Sequence, residues 1–284
     1  MMNVGVIGCG GWGVTVARRC SALFNLVGVY DKIHGVSEQA AHGLGVEWFG
    51  VVEDLIAKCD AIVIAIPPGD NRVDVLERCL EAGIKKIRIE KPLSVNVQEA
   101  SEMILRAEES GADIYVGYTA MFNGGVEEIA MRAASLEGPF NGAFRRMSTV
   151  PARHESTSFG DLSPHDIATA SRISGELPEV VVDSGKDWAL IRFSEGSFFR
   201  FETSWDSLHK QRLSVVKRAG SVFVHDEALG HVMVISDDFI GVTTHPVGEA
   251  LDRDLLMWES GAFWNELDMA IATMISDVTC AKHS

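Results

Sequence analysis

A glycine-rich turn follows the first apolar run of the chain and strongly limits what its N-terminal part can fold into. The β-branched run ends at Gly8, glycines recur at Gly10 and Gly13, and helix-compatible residues follow at once. This order matches a dinucleotide-binding fingerprint, whose glycines allow a tight turn, close approach of a pyrophosphate and close helix–strand packing. A glycine-rich turn in an unrelated α/β protein would look the same. The predicted cofactor contacts in this turn are Gly8, Gly10, Gly11, Trp12 and Gly13.

An acidic residue stands where this fingerprint requires one. The second apolar run, Leu26 to Tyr30, ends in Asp31, roughly 20 residues beyond the glycines, where a carboxylate hydrogen-bonds the adenosine ribose. A carboxylate there repels a 2′-phosphate and favours NAD, whereas the neighbouring Lys32 leaves NADP open. Taken alone, Asp31 is also compatible with a turn or cap. With the glycines, it predicts an NAD site.

Strand and helix patterns then alternate up to residue 118 and predict one doubly wound Rossmann domain over 1–118. Ala61 to Ile66 is fully apolar, as expected of a strand buried on both faces of a parallel sheet. The prolines after it, and the residues after the strand Lys86 to Ile89, fall at strand carboxyl ends, where the cofactor crevice lies. Further predicted cofactor contacts are Pro67, Pro68, Asn71, Glu90 and Lys91.

The pattern changes after Tyr118 and predicts a second domain, 119–284, for substrate binding and oligomerisation. A helix is expected to start near Asp161, with that residue either as its cap or as an N-terminal carboxylate, with Pro164 in its first turn and Gly175 at its end. Short strands from Val180 onward predict an open, mostly antiparallel sheet, and a single amphipathic helix is predicted over Asp254 to Ile275. The expected fold class is therefore α/β, with an N-terminal Rossmann parallel sheet and a C-terminal α+β domain.

Composition excludes several functions. A net charge of −15 disfavours nucleic acid and anionic membranes as partners. The absence of a long apolar run and the short stretch before the first strand predict a cytoplasmic protein without a signal peptide. Five cysteines without a C-x-x-C pair are interpreted as reduced packing residues. The histidines show no metal-ligand spacing, so no metal site is predicted.

These motifs, in this order, resemble the glucose-fructose oxidoreductase, inositol dehydrogenase and MocA (Gfo/Idh/MocA) family over nearly the whole chain. The resemblance depends on the glycine fingerprint, Ile66-Pro67-Pro68, Glu90-Lys91-Pro92, and Asp161 with His165 four residues later. Residues 118–123 and 161–167 look most similar to dehydrogenases of nucleotide-linked sugars. Asn71 stands where many relatives carry histidine, and Gly124-Gly125 replaces a segment that commonly contains proline, which puts the substrate in doubt.

The resemblance implies roles for individual residues. Lys91 would orient the nicotinamide and the substrate hydroxyl, His165 would transfer the proton, and Asp161 would hold the pair. It also implies a frequently cis Lys91–Pro92 bond and a C-terminal sheet that pairs subunits into a homodimer or homotetramer. Further candidate substrate contacts are Asn123 and Arg153, the latter for an anionic group. Arg145 and Arg146 are adjacent on a strand and should point to opposite faces.

The chemistry supports the same roles independently. Oxidation of a secondary alcohol moves a hydride to the nicotinamide and a proton to a base, and histidine titrates near working pH. Asp161 and His165 are at i and i+4, hence on one helix face, and a lysine can stabilise the developing alkoxide. Individually, Asp161 could be a cap beside a surface histidine and Lys91 a solvated lysine. Together with the glycine loop they favour an active site.

The predicted function is an NAD-dependent dehydrogenase that acts on a secondary hydroxyl of a sugar, nucleotide-sugar or cyclitol, with a small sugar-like molecule as its substrate. One alternative is a non-catalytic NAD(H)-sensing regulatory protein of the same fold. Retention of Lys91, Asp161 and His165 together argues against it. A second alternative is an enzyme that reduces an imine or another unsaturated bond.

Overall fold

The computed structural model describes residues 1–69, 71–149, 157–262 and 264–280, which form two compact units. The first unit comprises Met1–Ser94, Gln98–Gly117 and Leu251–Asn265. The second comprises Val95–Val97, Tyr118–Ala250 and Glu266–Ser284. The first unit therefore includes a C-terminal segment, Leu251–Asn265, that falls in the range predicted for the second domain.

Two sheets account for the strands of the described chain. The strands are β1 (Asn3–Ile7), β2 (Asn25–Tyr30), β3 (Glu47–Trp48), β4 (Ala61–Ile64), β5 (Lys86–Glu90), β6 (Asp113–Gly117), β7 (Asn141–Met147), β8 (Pro178–Gly185), β9 (Trp188–Phe193), β10 (Phe198–Ser204), β11 (Gln211–Arg218), β12 (Ser221–Asp226), β13 (His231–Ser236) and β14 (Phe239–Thr244). The first six form one sheet and the other eight form the second.

The helices lie between and after these strands. They are α1 (Gly11–Leu23), α2 (His34–Leu44), α3 (Val52–Ile56), α4 (Arg72–Glu81), α5 (Val97–Glu109), α6 (Gly124–Ala133), α7 (Ser158–Ser174), α8 (Ala250–Glu259) and α9 (Asn265–Cys280). A short 3-10 helix, Thr119–Phe122, precedes α6. None of the helices in the described ranges combines the length and the apolar character needed to cross a bilayer.

The sheet of the first unit has the order β3-β2-β1-β4-β5-β6, and its strand pairs are all parallel. Its central strands read as continuous apolar runs, because a parallel sheet is covered on both faces. The strand order reverses between β1 and β4, and the carboxyl ends beside such a switch point form the ligand crevice of a doubly wound fold. The predicted Rossmann sheet is confirmed.

The predicted single C-terminal helix over Asp254 to Ile275 is wrong. The chain forms α8 and α9 instead, with Gly261 between them at φ +86°, a left-handed conformation that ends helices. Leu255 and Trp258 of α8 are buried in the core of the first unit, where the Trp258 ring meets the edge of Phe24. The spacing of apolar residues continues on both sides of Gly261, which is why the sequence predicted one helix. In the structure the two helices belong to different units.

The sheet of the second unit has the order β14-β13-β12-β11-β7-β10-β9-β8. Its strands pair antiparallel except for β7 with β10, so the predicted mostly antiparallel sheet is confirmed. Phe144, Phe193, Phe199 and Phe201 form a buried aromatic cluster on one face, against which α7 packs. Strand β14 was not predicted from the sequence, because its residues do not alternate between apolar and polar.

The described cysteine side chains are free thiols. Cys9, Cys20 and Cys79 are buried and Cys59 is half-buried. Burial raises the pKa of each thiol to about 12. All four are therefore protonated at neutral pH and act as small apolar side chains.

A carboxyl group lies buried beside a tyrosine hydroxyl in the second unit. The side chain of Asp268, on α9, is 1% exposed, and the Tyr118 hydroxyl lies next to it. Burial raises the pKa of Asp268 to about 8, although the nearby Tyr118 hydroxyl acts in the opposite direction. Asp268 is therefore largely uncharged in the folded protein near neutral pH.

This raised pKa predicts a pH-dependent stability. The stabilisation linked to Asp268 is complete below its unfolded pKa, about 4, and is lost as the pH rises to about 8. Relative to the unmodified protein, Asp268→Asn should therefore gain free energy of unfolding by about 1 kcal/mol per pH unit between pH 5 and 8. Urea unfolding at several pH values measures this. The exposed Asp277 on the same helix supplies the control, Asp277→Asn. Parallel pH curves for Asp268→Asn and the unmodified protein would contradict the expectation.

Candidate functional site

The glycine loop brings helix and strand into contact. Gly8 has φ +99°, and a β-carbon there would lie 2.6 Å from the carbonyl oxygen of Ala65. A β-carbon at Gly13 would lie 2.0 Å from the carbonyl oxygen of Gly8. A side chain at Gly8 would therefore push the end of β1 away from the segment after β4, and one at Gly13 would push α1 away from the end of β1. At Gly10, by contrast, a β-carbon would meet no described atom within 4 Å, so a glycine there leaves space for a ligand.

The first turn of α1 is suited to an anion. Its cap is Gly10, and no described side chain caps it. Its first turn, within Gly11–Leu23, carries no acidic residue. The terminal N–H groups and the helix dipole therefore favour a negative group such as a pyrophosphate. The Trp12 side chain is 46% exposed on this turn.

Asp31 is held against the same loop. One carboxylate oxygen accepts the N–H of Cys9 at 2.8 Å, and the other accepts the N–H of Ile33 at 2.9 Å. These bonds fix the carboxylate at the end of β2. Each oxygen retains acceptor capacity for a ribose hydroxyl. The structure thus brings together the glycine loop and Asp31, and both fit a dinucleotide.

The next predicted contacts follow β4. Pro67 is exposed and Pro68 is half-buried, both at the carboxyl end of the sheet. Asn71 is exposed and adopts φ +58° at the start of α4. These positions match the predicted border of the crevice, and their contacts with a cofactor remain predictions.

Sequence reasoning missed the buried residue that follows Asn71. Arg72 is 1% exposed and donates hydrogen bonds to the carbonyl oxygens of Ile66, Pro92 and Leu93. Burial lowers its pKa to about 10, partly offset by nearby carboxylates. A signal was present, because Arg72 begins the i, i+4, i+7 stripe that Leu76 and Cys79 continue on the buried face of α4.

Glu90 and Lys91 lie at the end of β5. The Lys91–Pro92 bond is cis, as the family resemblance implies, and Lys91 is half-buried. Glu90 is 6% exposed, and its carboxylate accepts a hydrogen bond from Arg88. The predicted contact of Glu90 with the cofactor stays a prediction, since this carboxylate already has an internal partner.

Arg88 belongs to a buried charged network. Its guanidinium is fully buried and also pairs with Asp254 of α8, which accepts the Tyr115 hydroxyl at 2.6 Å. Burial acts to lower the pKa of Arg88, but Asp254 and Glu90 outweigh this effect and raise it. The network fastens the C-terminal helix α8 to β5, immediately before Lys91. A charged residue within an apolar parallel strand was its signal in the sequence.

The helix that carries the predicted proton-transfer residue starts earlier than predicted. Thr157 caps α7, its hydroxyl accepting the Gly160 N–H at 3.0 Å. Asp161 is therefore not the cap but, as the other alternative has it, an acidic residue near the helix start. The helix begins before the predicted position, Pro164 lies inside it rather than in its first turn, and the predicted end at Gly175 is confirmed. Asp161 lies in the first turn of α7, and its carboxylate accepts the indole N–H of Trp205 at 3.3 Å. This contact was not foreseen.

His165 lies one turn after Asp161 and is half-buried. The adjacent Asp166 is buried and accepts hydrogen bonds from Arg146 at 2.7 and 2.9 Å. Arg146 also pairs with Glu227, which binds Arg212 in turn. Although burial acts in the opposite direction, these two arginines lower the pKa of Glu227 to about 2. The network attaches α7 to the sheet beside His165.

The remaining predictions concern two adjacent arginines on β7 and two candidate substrate contacts. Arg146 is buried while Arg145 is exposed and pairs with Glu202, so the predicted opposite orientation is confirmed. Asn123 is 7% exposed and caps α6, its carbonyl oxygen accepting the Gly125 N–H at 2.9 Å. Its predicted role toward the substrate stays a prediction. Arg153 lies outside the described residues.

Comparison with known proteins identifies the family that the N-terminal part of the chain resembles. Residues 2–118 match the family model described as an oxidoreductase family with an NAD-binding Rossmann fold, GFO_IDH_MocA. This match confirms the predicted family for the N-terminal segment that it covers, and with it the oxidoreductase class and NAD as cofactor.

Relatives of this oxidoreductase carry related names. It is 29% identical over 240 residues to scyllo-inositol 2-dehydrogenase (NAD(+)) of Bacillus subtilis, covering 74% of this chain and 69% of that protein. It is 28% identical over 178 residues to UDP-N-acetylglucosamine 3-dehydrogenase of Acidithiobacillus ferrooxidans, covering 62% of this chain but only 56% of that protein. A solved structure of a UDP-N-acetylglucosamine 3-dehydrogenase from the latter organism superposes with a TM-score of 0.86 at 20% identity, covering 99% and 97% of the two chains. This likeness shows that the whole fold is shared.

We expect Asp31→Ala to weaken NAD binding about tenfold, because the ribose loses a charged acceptor, and to narrow the preference for NAD over NADP. Titration calorimetry with both nucleotides measures the two effects. Asp60→Ala is a matched control, since Asp60 accepts the Asn3 N–H at 2.9 Å at the other end of β1. Tighter binding of NADP than of NAD by the unmodified protein would show that the specificity predicted from Asp31 is wrong.

Proposed function

We propose that this oxidoreductase uses NAD to oxidise a secondary hydroxyl of a sugar, nucleotide-sugar or cyclitol. The names of the relatives support this substrate class. The carrying observation is the placement of Asp161 and His165 one turn apart on α7, with the Asp161 carboxylate held by Trp205. A histidine one helical turn from a held carboxylate can accept a proton from a hydroxyl.

The residues divide the reaction between them. The glycine loop and Asp31 hold the dinucleotide, which supplies the hydride acceptor when bound. Lys91 stabilises the alkoxide that forms as the proton leaves, and His165 receives that proton. Asp161 orients the base. No metal is needed in this scheme, because the lysine provides the positive charge.

Two alternatives make different predictions. A non-catalytic NAD(H)-sensing protein would bind the cofactor but convert no substrate. An enzyme that reduces an imine or another unsaturated bond would fail on alcohols in both directions.

The four free thiols among the described residues agree with the proposed cytoplasmic location, where cysteines stay reduced.

His165→Ala should lower turnover by about 10²- to 10⁴-fold, the usual contribution of a general base, and leave NAD affinity nearly unchanged. The assay follows the absorbance of reduced nicotinamide with scyllo-inositol, myo-inositol, UDP-N-acetylglucosamine and glucose 6-phosphate, and the reverse reaction with the corresponding ketones. The control is His231→Ala, an exposed histidine on β13. Unchanged turnover would remove His165 from the mechanism. No turnover by the unmodified protein on any compound would refute the proposed dehydrogenase and leave the sensor and the imine-reducing enzyme as the alternatives.

We also propose that the outer face of the second sheet pairs with a second copy of this chain. Val215, Val224, Met233 and Val242 lie side by side across β11 to β14 and form an apolar row on that face. Val242 is 57% exposed and Ile240, in the adjacent row, is 74% exposed. Contiguous exposed apolar residues mark protein interfaces, and a flat apolar row is self-complementary about a two-fold axis.

Met233→Glu should therefore convert the oligomer to monomers, because it buries a charge at the centre of the apolar row. Size-exclusion chromatography with light scattering gives the mass. Leu208→Glu is the control, since Leu208 is fully exposed in the turn after β10. An unmodified protein that is monomeric at micromolar concentration, or a Met233→Glu variant of unchanged mass, would contradict the proposed pairing.

A further inference from the structure

One buried guanidinium connects two loops of the first unit. The Nε of Arg72 donates to the carbonyl oxygen of Ile66 at 3.1 Å, and its Nη1 donates to that of Leu93 at 2.9 Å. Nη1 also donates to the carbonyl oxygen of Pro92. Ile66 belongs to the loop after β4, whereas Pro92 and Leu93 belong to the turn after β5. Arg72 therefore ties together two loops at the carboxyl edge of the sheet.

Burying this guanidinium costs desolvation free energy that packing alone does not require. A guanidinium loses its hydration when it is fully buried, and its hydrogen-bond partners here are neutral carbonyl groups, although the carboxylates of Glu90 and Glu99 partly offset this cost. The buried stripe of α4 continues with Leu76 and Cys79, so an apolar residue would suit the same helix face. An arginine offers several donors in a rigid planar fork, which an apolar residue or a lysine cannot reproduce.

The bonded carbonyls flank the predicted reactive residues. Pro92 and Leu93 directly follow Lys91, and Ile66 directly precedes Pro67. On the other side of Lys91, the Glu90 carboxylate pairs with Arg88. Buried arginines therefore contact the residues on both sides of Lys91, and Arg72 connects the turn that follows it to the loop after β4.

We propose that Arg72 is a positioning residue for the nicotinamide end of the cofactor site. It sets the main chain of Lys91 relative to Pro67, so that the lysine reaches the nicotinamide half of the dinucleotide. This inference rests on the proposed role of Lys91. The adenosine half is held separately by the glycine loop and Asp31, which Arg72 does not contact.

This separation allows a test that needs no substrate. Arg72→Lys keeps the positive charge but loses the planar fork. We expect it to weaken NADH binding about tenfold, because a displaced Lys91 would lose one charge-assisted hydrogen bond to the cofactor. ADP-ribose binding should change less than about twofold. Titration calorimetry measures both affinities. The control is Arg78→Lys, because Arg78 lies on the same helix, is exposed and pairs with Glu53.

A double-mutant cycle tests whether Arg72 acts through Lys91. Lys91→Met alone should also weaken NADH more than ADP-ribose, and adding Arg72→Lys to it should cause little further loss. Three results would overturn the inference: unchanged NADH affinity in Arg72→Lys, an equal loss of ADP-ribose affinity, or fully additive losses in the double variant.

The unmodified protein provides a second measurement if Arg72→Lys does not fold. Hydrogen exchange should show that NADH protects residues 91–94 and 66–69 together. ADP-ribose, which keeps the second ribose but lacks the nicotinamide ring, should protect the glycine loop and the end of β2 as well as NADH does, and the other two segments less. Protection of one of the two loops without the other would count against the coupling. If the unmodified protein turned over none of the sugars and cyclitols of the His165→Ala assay, the proposed dehydrogenase would be refuted. The comparison of NADH with ADP-ribose would still decide the role of Arg72.

Discussion

The close contact between α1 and the end of β1 is the constraint on which the cofactor site depends. A side chain at Gly13 would collide with the main-chain oxygen of Gly8, so the helix approaches the sheet only because both residues are glycine. This approach directs the uncapped first turn of α1 toward the crevice. The hydrogen bond from Cys9 to Asp31 then holds against the same loop the carboxylate that is proposed to bind the ribose. The proposed anion site and the proposed ribose site therefore depend on the same loop.

Buried arginines organise the surroundings of the proposed reactive residues. Arg72 and Arg88 hold the turn around Lys91, and Arg146 attaches α7 to its sheet beside His165. A buried charge costs free energy unless it is fully paired, and well-packed apolar residues are often equally stable. In this protein the buried arginines lie next to Lys91 and His165, whose proposed chemistry depends on the direction of their side chains. Such networks give orientation that apolar packing does not provide.

Local patterns predicted much of the fold. The glycine turn, the apolar parallel strands and the alternation along β10 each depend on neighbouring residues, and all three are confirmed. The errors occurred where local signals were ambiguous. Asp161 has the character of a helix cap, but Thr157, four residues earlier, supplies the cap instead. The pattern of the last helix runs on through Gly261, although its two halves pack in different units.

The sequence by itself determined the nucleotide-binding half, because glycine spacing and the position of Asp31 act through the backbone within a short segment. The same locality allowed the i, i+4 relation of Asp161 and His165 to be recognised. Only the tertiary structure decided which groups hold these residues in place. Trp205 binds Asp161 across 44 positions, and Asp254 reaches Arg88 across 166. Such pairs leave no periodic trace in the sequence, since folding alone brings their partners together.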